Sequence, residues 1–255
     1  MSDPLVEARG LVKTFGRVQA LRGANLTVYP AEVVALIGDN GAGKSVLIKC
    51  LSGVFQPDAG EILVEGKPVS FSSPVDAMAM GIETVYQDLA LADDLDASSN
   101  LYLGRDILRP GLLGRLGVLD RRRERHGAVA AFRELGIELQ DVSAPIVALS
   151  GGQRQTVAVA RSIVWASRVV ILDEPTAALG VAARGHVLDV IRRVRERGVA
   201  VVLVSHNMPE VLEVADRIEV LRLGVRVAQI DAREATVDQL VGAMTGALTQ
   251  REEHA

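Results

Sequence analysis

The 255-residue sequence predicts an α/β fold with a mixed, mostly parallel sheet and an inserted helical segment. Three observations carry that expectation. The octapeptide Gly38-Asp39-Asn40-Gly41-Ala42-Gly43-Lys44-Ser45 follows an apolar run, Val33 to Ile37, and leads into the apolar helix opening Val46-Leu47-Ile48. Two more apolar runs, Val169 to Leu172 and Val199 to Val204, alternate with helical patterns, as the buried strands of a parallel sheet do. Residues from about Asp88 to Pro145 contain no β-branched run and are rich in Leu, Arg and Asp, which marks a helical insertion.

In chain order, Leu5 to Gly10 and Leu21 to Val28 read as short antiparallel strands ahead of the strand Val33 to Ile37. The helix after Lys44 should stop near Gly53. Glu61 to Val64, the turn Glu-Gly-Lys-Pro and Val69 to Phe71 read as a hairpin, Pro74 to Met80 as a short helix and Ile82 to Tyr86 as a strand ending at Gln87. Within the insertion the clearest helix runs from Asp120 to Leu135 and is closed by Gly136. Gln153 to Trp165 is helical. In the helix before Val199, residues Val187, Val190, Ile191 and Val194 share one face, with Arg192, Arg193, Arg195 and Arg197 outside it. Ile218 to Ile230 is strand-like, followed by a short helix. The expected division is one domain, 1–255. Within it, 1–87 hold an antiparallel β subdomain and the start of the core, 88–148 the helical subdomain, and 149–255 the remainder of the core.

Composition narrows the function classes. A net charge of −4 gives no reason to expect nucleic acid as a partner. The one dense basic run, Arg121-Arg122-Arg123-Glu124-Arg125-His126, reads as a solvated helix face behind Asp120 as N-cap. Cys50 is the sole cysteine, which excludes an intrachain disulfide or a cysteine metal site. The start Met-Ser-Asp-Pro has no basic segment or apolar h-region, and no apolar run is long enough to span a bilayer. A cytoplasmic chain is expected, one that reaches a membrane by docking to another protein.

The chemistry begins at Gly38 to Ser45. Glycines at this spacing let successive N–H groups face a polyphosphate, Lys44 adds charge at the terminal phosphates, Ser45 offers a hydroxyl to Mg²⁺, and the helix start at Val46 presents its positive end. Asp173-Glu174 directly follows the apolar strand Val169 to Leu172. Beside a phosphate loop, Asp173 suits the Mg²⁺ shell and Glu174 suits polarising a water, where in isolation the pair would read as a helix-start cap before Pro175. Leu149-Ser150-Gly151-Gly152-Gln153 opens a helix with small residues and so makes a second anion site. Two anion sites and one set of water-handling residues imply an arrangement in which the two meet.

Taken together, Gly-x4-Gly-Lys-Ser, Gln87, Leu-Ser-Gly-Gly-Gln, Ile-Leu-Asp-Glu-Pro and Ser205-His206 resemble, in order and spacing, the ATP-binding cassette (ABC) ATPases, with a P-loop NTPase core. The resemblance covers essentially the whole chain. It implies ATP and Mg²⁺ as cofactors and a head-to-tail homodimer. In that dimer Ser150, Gly151, Gly152 and Gln153 of one copy close over ATP held by Gly38 to Val46 of the other. Catalysis would involve Glu174, His206 at the γ-phosphate, Gln87 and Lys44, with Ser45, Gln87 and Asp173 around the metal. Phe15 in Lys-Thr-Phe-Gly-Arg matches the adenine-stacking aromatic, and a packed Phe fits the sequence as well.

After Pro175-Thr176-Ala177-Ala178-Leu179, Gly180 stands where most cassettes have Asp. That puts communication between paired sites in doubt, but Ala-Ala-Leu-Gly-Val resembles the branch of bacterial monosaccharide importers. Gly81 to Gln87, Leu103-Gly104-Arg105, Ser205 to Met208 and Met244 to Ala247 resemble the same branch, with a fructose-import type of single-cassette chain as its nearest form. Transmembrane permease subunits, and indirectly a periplasmic sugar-binding protein, are the implied partners, on the cytoplasmic face of the inner membrane. Leu91 to Asp96 either helps form the permease-docking groove or is a solvated acidic loop. With only a short helix and the tail Gln250 to Ala255 after Ile230, the C-terminal regulatory domain of disaccharide-type importer ATPases is not expected. The alternative within the resemblance is a non-transport cassette protein of translation or DNA repair, a class that usually carries paired cassettes, zinc cysteines or long coiled coils.

Overall fold

The computed structural model describes residues 3–86, 91–137, 139, 141–177 and 179–247. Two sheets organise it. Strands β1 (Val6–Phe15) and β2 (Val18–Val28) pair antiparallel, and the next strand, β3 (Val33–Ile37), leaves for the second sheet. Helix α1 (Lys44–Leu51) follows. β4 (Ala59–Val64) and β5 (Lys67–Val69) return to complete a four-stranded antiparallel sheet in the order β2-β1-β4-β5. The turn between β4 and β5 is only Glu65-Gly66, so Lys67 and Pro68 join β5, earlier than the expected strand at Val69. Pro68 is tolerated because β5 is an edge strand.

After α2 (Pro74–Ala79) and β6 (Ile82–Val85) come three helices, α3 (Ala97–Tyr102), α4 (Leu112–Arg115) and α5 (Arg121–Glu134). The side chain of Asp120 accepts the Arg123 N–H at the start of α5, as its N-cap. The chain then alternates: α6 (Gly151–Trp165), β7 (Val169–Asp173), α7 (Val181–Glu196), β8 (Ala200–Val204), α8 (Met208–Val214), β9 (Arg217–Arg222), β10 (Val225–Asp231) and α9 (Val237–Thr245). The second sheet has the order β10-β9-β3-β8-β7-β6, parallel except for the β9–β10 pair. The stretch expected as one strand from Ile218 to Ile230 is thus a hairpin turning at Leu223-Gly224. The short helix α8 was not expected at all.

The central parallel strands β3 and β8, and β7 as far as Leu172, are apolar because both faces are covered. Val169 and Ile171 of β7, with Ala200, Val202 and Val204 of β8, pack toward α1 and the antiparallel sheet. Their alternates Val170, Leu172, Val201 and Leu203 pack against α6, α7 and the α5 residues Ala128 and Phe132. A third cluster sets Ile37, Ile218 and Val220 against Val211 and Leu240. Val187, Val190, Ile191 and Val194 are all buried, as the helical period requires. Phe132 is a large, fully buried side chain joining the helical segment to the sheet core. Phe132→Ala should therefore destabilise the chain by about 3–5 kcal/mol, measured by urea denaturation. A loss below about 1 kcal/mol would show that α5 does not share the core.

Candidate functional site

Strands β3, β8, β7 and β6 run parallel and side by side, so the segments leaving their C-terminal ends emerge along one edge of the sheet. That edge receives Gly38 to Ser45 after β3, Glu174 after β7 and His206 after β8. Gln87, which follows β6, lies outside the described residues, as does Ala178.

The phosphate loop is wedged against neighbouring backbone. Gly38 has φ 157°, and a Cβ there would collide with the Leu221 carbonyl oxygen. Gly43, the N-cap of α1, has φ 103°, and a Cβ there would stand 2.7 Å from the Ala20 carbonyl oxygen. Only glycine suits both positions. The far side of the loop is held by the Gly224 N–H donating to the Ala42 carbonyl at 2.9 Å. With no side-chain cap on α1, the N–H groups of its first turn at Lys44, Ser45 and Val46 have no intrahelical partner. The loop lines a cleft of about 700 Å³ whose other walls are Val18, Gln19, Ala20, Arg22, Leu223 and Glu174. Those wall residues from β2 and the β9–β10 turn were not singled out in the sequence, because they carry no charge pattern or motif of their own beyond Arg22. Phe15 does not line this cleft. It is 42% exposed, pairs with Val18 across the β1–β2 ladder and meets Phe55 edge-on at 5.2 Å.

Lys44 is buried and its Nζ donates to the carbonyls of Gly38 (2.7 Å) and Asp39 (3.1 Å). Burial pushes its pKa down, opposed by the charges of Glu174, Asp173 and Asp39. Asp173, the last residue of β7, has its pKa raised by burial and by the neighbouring Glu174, with Lys44 and Lys49 opposing. Glu174 takes a left-handed conformation, φ 51°, unusual for a non-glycine residue and of the kind that functional sites retain. Its N–H donates to the Val204 carbonyl at 2.9 Å, which fixes it to the end of β8. Its Oε1 lies 3.0 Å from His206 Nδ1, and the His206 side chain remains 63% exposed. The carbonyl-bound ammonium of Lys44, the hydroxyl of Ser45 and the carboxylate of Asp173 make a donor set of a cation and hard oxygens. That set suits a Mg²⁺–polyphosphate, whose own oxygens would complete the metal shell.

Ser150, Gly151, Gly152 and Gln153 are elsewhere. Ser150 caps α6 in a reciprocal box: its N–H donates to Gln153 Oε1 at 3.0 Å, and the Gln153 N–H donates to its Oγ at 3.3 Å. Ser150, Gly152 and Gln153 line a separate depression with Thr156, His186 and Arg193, and no residue of that depression lines the phosphate cleft. A Cβ on Gly151 would meet nothing within 4 Å, so the helix start is open to solvent. Gly180 is the N-cap of α7. The acidic loop after Leu91 is held by the fully buried Asn100, which accepts the Ala92 N–H and donates to the carbonyls of Ala92, Leu95 and Asp96.

Comparison with known proteins adds the following. A family model described as "ABC transporter" matches residues 21–177. The fructose import ATP-binding protein FrcA of Rhizobium meliloti is 52% identical over 247 residues, covering 96% of this chain and 95% of that protein. The xylose/arabinose import ATP-binding protein XylG of Sulfolobus acidocaldarius is 42% identical over 245 residues, covering 96% and 95%. A ribose import ATP-binding protein of Burkholderia pseudomallei is 39% identical over 95% of this chain but only 47% of its own length, so this chain spans about half of that relative. Among solved structures, the ADP conformation of an ATP-binding cassette of an ABC transporter superposes with a TM-score of 0.79 at 22% identity, covering 95% of each chain. A dimeric post-hydrolysis cassette bound to ADP and Pi superposes with a TM-score of 0.74 at 23% identity, covering 90% of this chain and 100% of that one. Both likenesses concern the fold.

The raised pKa of Asp173 has a consequence for stability. A carboxyl whose folded pKa lies above its ordinary 3.8 costs stability as the pH rises through that folded value, because the folded chain must then hold an unfavourable charge. Asp173→Asn should therefore raise the nucleotide-free melting temperature at pH 7, with the gain shrinking as the pH falls toward 4. A lower melting temperature at pH 7 would contradict this.

Proposed function

The chain belongs to the ABC transporter family, and from that premise we propose that it is the ATP-binding and ATP-hydrolysing subunit that energises import of a monosaccharide. The observation that carries the reading is the pairing of Glu174 with His206 at 3.0 Å on the sheet edge that also presents the phosphate loop. A carboxylate there can accept a proton from water, and an exposed imidazole beside it can orient that carboxylate and reach a γ-phosphate.

In this reading ATP is the substrate, and Mg²⁺, held by Ser45 and Asp173 with Gln87 as a further ligand, supplies charge neutralisation at its phosphates. Lys44 exchanges its loop carbonyls for phosphate oxygens, and the backbone from Gly38 to Val46 encloses the anion. Glu174 receives the proton of the attacking water, held in place by its N–H bond to Val204. Phe15 supplies a face for the adenine by turning away from Phe55. The capped helix start Ser150-Gly151-Gly152-Gln153 is open and separate from the cleft of its own chain. Its use is therefore to close over the cleft of a second copy, giving a head-to-tail homodimer with two equivalent sites. The permease docks near the segment after β6, and closure of the dimer is the step that moves it. Sugar recognition belongs to that permease and to a periplasmic binding protein, with this subunit on the cytoplasmic face of the inner membrane. The division at 87/88 and 148/149 into sheet, helical and core parts is the mechanical counterpart of this cycle. No helix among the described residues is long and apolar enough to cross a membrane. Nucleic acid is not a partner in this reading.

Two variants separate binding from chemistry. Lys44→Ala should weaken Mg-ATP binding by roughly tenfold to a hundredfold, the worth of a charged hydrogen-bond donor. Wild-type affinity in a fluorescent-nucleotide titration would remove Lys44 from the site. Glu174→Gln should keep nucleotide affinity, lower turnover by about a hundredfold or more and accumulate an ATP-bound dimer on gel filtration. Normal turnover would exclude Glu174 as the base.

A further inference from the structure

Behind the Glu174–His206 pair lies a buried carboxylate that no part of the mechanism has yet used. Glu210 sits in the first turn of α8 and is 5% exposed. Its Oε2 accepts the Thr176 hydroxyl at 2.6 Å, a buried hydrogen bond. Its Oε1 accepts the Asn207 side-chain amide at 2.8 Å and faces Arg184 Nε at 2.9 Å. Thr176 is two residues past Glu174, Asn207 is next to His206, and Arg184 stands in α7, where it also donates to the Leu179 carbonyl at 3.2 Å. Glu174, Thr176, Ser205, His206, Asn207 and Glu210 line one small cavity of about 50 Å³.

We propose that Glu210 is a positioning residue for ATP hydrolysis: it clamps the Glu174 loop to the His206 loop and, through Arg184, ties both to α7. The proposal rests on the reading of Glu174 as the base. The physical argument is one of degrees of freedom. The loop after β7 and the loop after β8 are joined at the front by the Glu174 side chain, which must release or reorient when a water and a phosphate enter. A second tie at the rear, inaccessible to solvent, keeps the two loops in register through that change. A carboxylate suits the task because it accepts from Thr176 and Asn207 and balances the Arg184 charge at once. Buried hydrogen bonds to a charged group are also strong and directional. The left-handed φ of Glu174 makes the tie more important, since a strained residue holds its conformation only when its surroundings over-determine it.

Single-turnover hydrolysis of Mg-ATP by the full chain tests the proposal with three variants: Glu210→Gln, which keeps size but removes the charge, Thr176→Val, which removes only the hydroxyl, and the double. Each single variant should lower the hydrolysis rate constant by roughly tenfold, as a displaced catalytic group does, with ATP affinity within about twofold of wild type. The double variant should be no slower than the slower single variant, because both cut the same link. Thr176→Ser should restore most of the rate by restoring the hydroxyl. Rates within twofold of wild type, multiplicative losses in the double, or a loss of ATP affinity equal to the loss of rate would overturn it. Glu174→Gln run alongside keeps the two claims apart. If it hydrolyses ATP normally, the reading of the base is wrong. If it is inactive while the Glu210 and Thr176 variants are not, only the positioning role fails.

Discussion

The structure depends on the in-register parallel pairing of β3, β8 and β7. Leu36 of β3 and Asp173 of β7 both pair with Val204 of β8. Three chain segments therefore leave the sheet at the same level, one as a phosphate loop, one as Glu174 and one as His206. The Glu174 N–H continues the ladder by one more bond, to Val204. A shift of one residue in any of these pairings would turn the apolar sets of β7 and β8 to the wrong faces, so the two-sided burial of the sheet protects the geometry of the site. The core and the chemistry are specified by the same register.

The site itself runs against stability. Lys44 is buried against carbonyls, Asp173 is held with a raised pKa beside another carboxylate, and Glu174 has a left-handed backbone. Each of these costs free energy in the nucleotide-free chain, and in the proposed function each would be relieved or used when a magnesium polyphosphate enters. Local violations of good folding practice that gather at one edge of an otherwise consistent fold are what a functional site should look like. Glu210 fits this picture as the support behind the strained residues, a fully bonded group beneath less settled ones.

Much of this was legible in the sequence, for identifiable reasons. Gly38 to Ser45, Asp173-Glu174 and Ser150 to Gln153 declare themselves because their chemistry is local: each motif's parts are neighbours in the chain. The buried strands were legible because both faces are apolar. The hairpin at Leu223-Gly224 was not, because β9 and β10 read as one continuous apolar stretch on either side of a two-residue turn. The cleft walls Val18 to Ala20 and Leu223 were invisible for the opposite reason, since they act through backbone and bulk rather than through type. Glu210 was missed because its meaning comes from Thr176 and Arg184, which only folding brings to it. Phe15 was legible only as a motif match: in the nucleotide-free chain it meets Phe55 edge-on beside the cleft, and the sequence does not say which of the two faces it serves.

What the geometry leaves open on one chain, a second copy can close. The phosphate cleft and the capped start of α6 share no lining residue, and both face outward. The direct measurement is a cross-link between two singly substituted chains, Asn40→Cys in one and Gly151→Cys in the other, using a short bis-maleimide. Cys50 does not interfere, since it is buried with its thiol pKa pushed up to about 11. The account predicts a covalent heterodimer that forms with Mg-ATP and not without it. Linkage independent of nucleotide, or no linkage when ATP is bound, would contradict a site shared between two copies.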